Sequence, residues 1–144
     1  MVSGRARLDD RIALLMQELI SSAVLTNERI ARQLGLNVVD FQTYGVLVRV
    51  GEPMTPGRLA QLTELPSSTT TRVLDRLEAK GLVRREADPD DRRKTWVHAV
   101  PFEHPEVGAA YGSIMRQLEE IHRGFTVAEL ETVVRYLDAV KDVR

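Results

Sequence analysis

Five consecutive hydroxyl side chains, Ser67, Ser68, Thr69, Thr70 and Thr71, run directly into Arg72, and Arg76 follows one helical turn later. Short hydroxyls bond phosphate oxygens, and arginine forks match phosphates or the O6 and N7 edge of guanine in a major groove. On a 100° wheel Ser68, Thr69, Arg72 and Arg76 share one side, while Thr70, Val73, Leu74, Leu77 and Gly81 share the other. The second set faces inward and the first is left for a partner. Hydroxyl residues are poor helix formers, so their concentration where base edges would be met favours DNA contact over a merely solvated face. The candidate reading residues are Ser67, Ser68, Thr69, Arg72 and Arg76. A second cationic group, Arg92, Arg93 and Lys94, directly follows Asp88, Asp90 and Asp91. A bare phosphate grip would not need the acids. The expectation is that Asp91 orients a neighbouring arginine, letting one guanidinium enter a narrow minor groove. Asp91, Arg92, Arg93 and Lys94 are the candidates there.

Other chemistries find little support. The chain has no cysteine, which removes thiol nucleophiles, thiolate metal sites, disulfides and cysteine redox switches. His98, His104 and His122 are its three imidazoles, and their spacing is not that of metal ligands. Asp88, Asp90 and Asp91 lack the ligand spacing of a calcium loop, and the glycines are too scattered for a phosphate cradle. No metal, no cofactor and no enzymatic activity are expected.

These groups need elements to position them. The chain has 144 residues, 43% hydrophobic and 28% charged, with net charge −1, as expected of one soluble globular chain. Neither a signal peptide nor a membrane-length apolar run is visible, and a cytoplasmic location without membrane contact is expected. Apolar residues recur at helical spacing from Leu8 to Leu34. That helix spans about 40 Å, longer than one small domain can cover, and a second subunit is the expected cover. Asn37 caps a second helix ending near Gly51, and Thr55 followed by Pro56 starts a short third. A fourth runs from Pro66 to Lys80, with Gly81 as its stop. Leu82–Glu86 and Thr95–Val100 form a hairpin around an Asp- and Pro-rich turn, with Trp96, His98 and Val100 on one face of the returning strand. Helical spacing resumes from about Glu106 to His122, and Thr126 with Glu129 makes a capping box for a last helix.

Two helices joined by a short turn, followed at once by a hairpin with a charged tip, make a winged helix-turn-helix. The fold class is mainly α with a small β wing: a winged helix-turn-helix lobe over residues 37–103 plus a helical dimerisation region formed by residues 1–36 and 104–144. Residues 58–98 hold nine Lys or Arg against seven Asp or Glu. So slight a basic excess fits a docked dimer making specific contacts better than a nonspecific coat.

The helix order, the stretch SSTTTRVLDRLEAKGLVRREADPDDRR and the ending FTVAELETVVRYLDAVKDV resemble the MarR family of bacterial transcription regulators. The resemblance covers nearly the whole chain, with Pro66 standing where a serine commonly starts the recognition helix. It implies a homodimer built from the first helix and the last two, a fourth helix in the major groove and a wing in the adjacent minor groove. Asp91 and Arg93 match the family's wing pattern, Arg93 being the residue that enters the groove, and Arg72, Asp75 and Leu77 match its recognition-helix pattern. The resemblance also implies a small aromatic or anionic effector; Met16, Ile20, Phe41, Tyr44, Tyr111 and Met115 could line its pocket or simply pack a core. The function expected is a ligand-responsive repressor that binds double-stranded DNA at a pseudo-palindrome as a homodimer. The competing expectation is a winged-helix module that binds protein rather than DNA.

Overall fold

The computed structural model describes residues 4–101 and 104–143, and contains α1 (Gly4–Gln33), α2 (Val38–Val50), α3 (Pro56–Thr63), α4 (Ser67–Ala79), β1 (Val83–Ala87), β2 (Thr95–Ala99), α5 (Pro105–His122) and α6 (Val127–Val140). The fold is mainly α with a two-stranded antiparallel wing. The chain divides into two compact units, Met1–Phe102 and Glu103–Arg144.

In the first unit the helix boundaries follow from local chemistry. Asn37 and Thr55 accept the amide hydrogens of Asp40 and Arg58, capping α2 and α3, and Pro56 occupies the first turn of α3. α4 ends where Gly81 adopts φ +72°. The amide of Gly81 then reaches the carbonyl of Glu78, and that of Leu82 reaches Leu77, a Schellman closure. It turns the chain back along α4, which is how the wing comes to lie beside that helix.

β1 and β2 pair from Val83 with Ala99 to Ala87 with Thr95. Val97 is also bridged by Met54, through reciprocal backbone bonds of 2.8 and 3.1 Å. The wing is therefore tied to the segment between α2 and α3 as well as to itself. Ala31, Leu36, Tyr44, Leu47, Met54, Leu59, Val73, Leu74, Leu77, Leu82, Val83 and Val97 form one core. Each helix of the lobe and both strands contribute to it, so α3, α4 and the wing share one support. α1 joins it only at its C-terminal end, through Ala31.

In the second unit, Thr126 and Glu129 form the reciprocal capping box that starts α6. Glu129 accepts both the amide and the hydroxyl of Thr126, which holds its carboxyl below the ordinary range. α6 buries none of its described residues. Among the described residues no helix is long and apolar enough to cross a membrane.

Candidate nucleic-acid interface

The inward stripe of α4 is Thr70, Val73, Leu74 and Leu77, all buried. Ser67, Ser68 and Arg72 are exposed and Thr69 is half-buried, as the wheel requires. The cap of α4 is Pro66, which offers no side-chain acceptor, so the first-turn amides are left for an external anion. The hydroxyls of Thr70 and Thr71 turn back to the carbonyls of Pro66 and Ser67. The five-hydroxyl run thus divides: two members serve the helix, and Ser67, Ser68 and Thr69 stand at its open end.

The arginines divide as well. No ion pair engages Arg72 among the described residues. Arg76, expected beside it as a DNA contact, donates from Nε and Nη2 to the two carboxylate oxygens of Asp40, at 2.8 and 2.7 Å. That bond raises the Arg76 pKa further above its ordinary value. Asp40 is not among the residues the sequence singles out, because it lies 36 positions from its partner and neither flanking segment marks it.

A second network joins α4 to the wing. Arg85 of β1 donates to Asp75 at 2.7 Å and, from both Nε and Nη2, to Glu78 Oε2, while Glu78 Oε1 accepts the backbone amide of Arg85. These bonds hold the Glu78 carboxyl below its usual range and push the Arg85 guanidinium above its own. The closure at Gly81 brings residues seven and ten positions apart side by side.

The wing tip is organised by Asp88. Its Oδ2 accepts the indole N–H of Trp96 at 2.7 Å, and its Oδ1 accepts the amides of Asp90 and Asp91 at 2.8 and 2.9 Å. The indole bond foremost, then the two amides, hold this carboxyl below the ordinary aspartate range. Asp91 was expected to orient a neighbouring guanidinium; its Oδ1 instead accepts the backbone amide of Arg93 at 3.0 Å. It shapes the turn rather than steering a side chain, because a carboxylate so close in sequence meets the amide two residues on. Arg92, Arg93 and Lys94 are exposed and project from that turn.

The effector candidates fall in different places. Met16 is half-buried and Ile20 exposed on α1, while Phe41 and Tyr44 of α2 pack with the lobe core. The Tyr44 hydroxyl donates to the Val100 carbonyl at 2.7 Å. Met115 is exposed on α5, and the side chain of Tyr111 lies outside the described residues. His98 Nε2 lies 3.3 Å from Glu86 Oε2, and no group of three metal-ligating side chains occurs among the described residues.

Comparison with known proteins places this geometry. A family model described as MarR family matches residues 34–94. The HTH-type transcriptional regulator YcgE of Bacillus subtilis is 28% identical over 141 residues, 98% of this chain and 91% of that protein. A mutant of MepR from a multidrug resistant S. aureus clinical isolate has a similar fold, with TM-score 0.70 at 18% identity, covering 90% of this chain and 94% of that one. Another MepR mutant, bound to an oligodeoxyribonucleotide, superposes with TM-score 0.58 at 19% identity over 90% and 94% of the two chains.

Proposed function

We propose that this chain, whose residues 34–94 match the MarR family model, is a MarR-family, sequence-specific DNA-binding transcription regulator that works as a homodimer and represses until a small aromatic or anionic effector releases it. The observation that carries the reading is the open end of α4. Uncapped amides and the hydroxyls of Ser67, Ser68 and Thr69 stand at that end, and Arg72, in no ion pair among the described residues, is exposed on the face opposite the core. In the major groove this end would meet phosphates through its amides and base edges through Arg72. Arg92, Arg93 and Lys94 extend from a tip fixed by Asp88 and Asp91, with Arg93 assigned to the minor groove.

Dimerisation is assigned to residues 1–36 and 104–144, and reading to residues 37–103. Leu8, Leu19, Ile20 and Val24 on α1 and Ile121, Val134 and Leu137 towards the C-terminus are exposed apolar side chains, more than a solvated surface normally carries in continuous helical stripes. A second copy covers them in this reading and sets two recognition helices about one turn of DNA (~10 bp) apart. The effector would act by preferring a dimer with the wrong spacing. We assign the chain no catalysis and a cytoplasmic location.

Selection of bound duplexes from a random library, at near-physiological salt, tests the reading. An inverted repeat is expected from wild type and a weakened one from Arg93→Ala. A folded dimer that enriches no motif, at low salt as well, overturns it.

A further inference from the structure

Arg76 lies on the same stripe of α4 as Ser68, Thr69 and Arg72, yet its fork is turned to α2. The Asp40 side chain keeps 2% of its surface, whereas Arg76 keeps 46%. A carboxylate so enclosed depends on its partner, since an unpaired buried charge costs far more than a paired one. The pairing is bidentate, and two parallel bonds fix angle as well as distance. The apolar contacts of Val73, Leu74 and Leu77 are non-directional and set how deeply α4 packs. The fork adds what they lack, a fixed roll of α4 about its own axis. Roll decides which side chains face a duplex.

We propose that Asp40 is a positioning residue for sequence reading: through Arg76 it sets the roll of α4, and so which bases Arg72, Ser68 and Thr69 meet, without itself touching DNA. The proposal rests on the DNA-binding reading above. It makes Arg76 a strut, with Nη1 alone of its guanidinium nitrogens outside the pair. α2 is well placed to hold it. The amide of Asp40 is fixed by Asn37 at 2.8 Å, and Tyr44, one turn on, holds the Val100 carbonyl beyond β2. One helix thereby fastens both the recognition helix and the base of the wing. The phosphate-facing amides of α4 and the wing cations lie elsewhere, so breaking the pair should cost discrimination more than general affinity.

The test compares wild type, Asp40→Asn, Arg76→Lys, Arg76→Gln and the Asp40→Asn/Arg76→Gln double variant. Each is measured on the library-selected duplex and on a scrambled duplex across a salt series, with thermal melting to confirm folding at the assay temperature. Asp40→Asn should lose about tenfold on the selected duplex, the size of one poorly met base pair, and little on the scrambled one, with an unchanged salt slope. Arg76→Lys keeps a charge facing Asp40 without the fork and should fall between. The double variant should be no worse than the poorer single variant, as coupled residues require. Should Asp40→Asn not fold, lost discrimination in Arg76→Lys at unchanged slope carries the test. Folded variants that keep the wild-type ratio between duplexes overturn the proposal. So does a salt slope reduced by about 0.9 in Arg76→Gln, which would make Arg76 a phosphate contact. Wild type that prefers no duplex overturns instead the DNA-binding reading beneath it.

Discussion

Arg72 and Arg93 are both exposed, one on a helix and one on a turn. Each should lose about 1–3 kcal/mol of binding to the selected duplex on substitution by alanine. Titrations at fixed salt check this, and unchanged melting should show that neither substitution loosens the fold. Asp88 has the opposite character, since its bonds run inward to Trp96, Asp90 and Asp91. Its folded pKa lies below the unfolded value. Its contribution is therefore complete above the ordinary carboxylate range and is lost as pH falls through the depressed value. Trp96 is the chain's one tryptophan and reports this directly. Its emission should change on acidification in wild type, and Asp88→Asn should remove that acid-dependent step.

At the scale of elements, the turn at Gly81 decides where the wing lies. A side chain there meets nothing within 4 Å, so Gly81→Ala carries only the strain of φ +72°, about 1 kcal/mol. Chemical denaturation should show that loss without a change in slope. Helix starts and stops were legible because caps are local: Asn37, Thr55, Thr126 and Gly81 all act where the residue order places them. The limits of β1 shifted by one residue for a related reason. Leu82 spends its amide on closing α4, at Leu77, before the ladder begins. α1 extends N-terminal to Leu8, through Gly4 to Arg7, because Arg5, Ala6 and Arg7 favour helix without adding to an apolar stripe. The inward face of α4 was legible from period alone. The Asp40–Arg76 fork and the Met54–Val97 bridge were not, since both join segments that only the tertiary fold brings together.

For the whole molecule, α1 and α6 each carry exposed apolar residues, which the proposed dimer assigns to a second copy. Sedimentation should give a dimer. Charge substitution at Leu19 together with Val134 should shift it towards monomer and cut operator affinity, because one half-site then binds alone. The central claim is that this molecule reads duplex DNA, and its most direct measurement is affinity for the selected duplex between about 50 and 200 mM salt. DNA reading predicts a steep linear fall of log affinity with log salt, shallower in Arg93→Ala. An affinity that does not depend on salt, or that is the same for selected and scrambled duplexes, would contradict it.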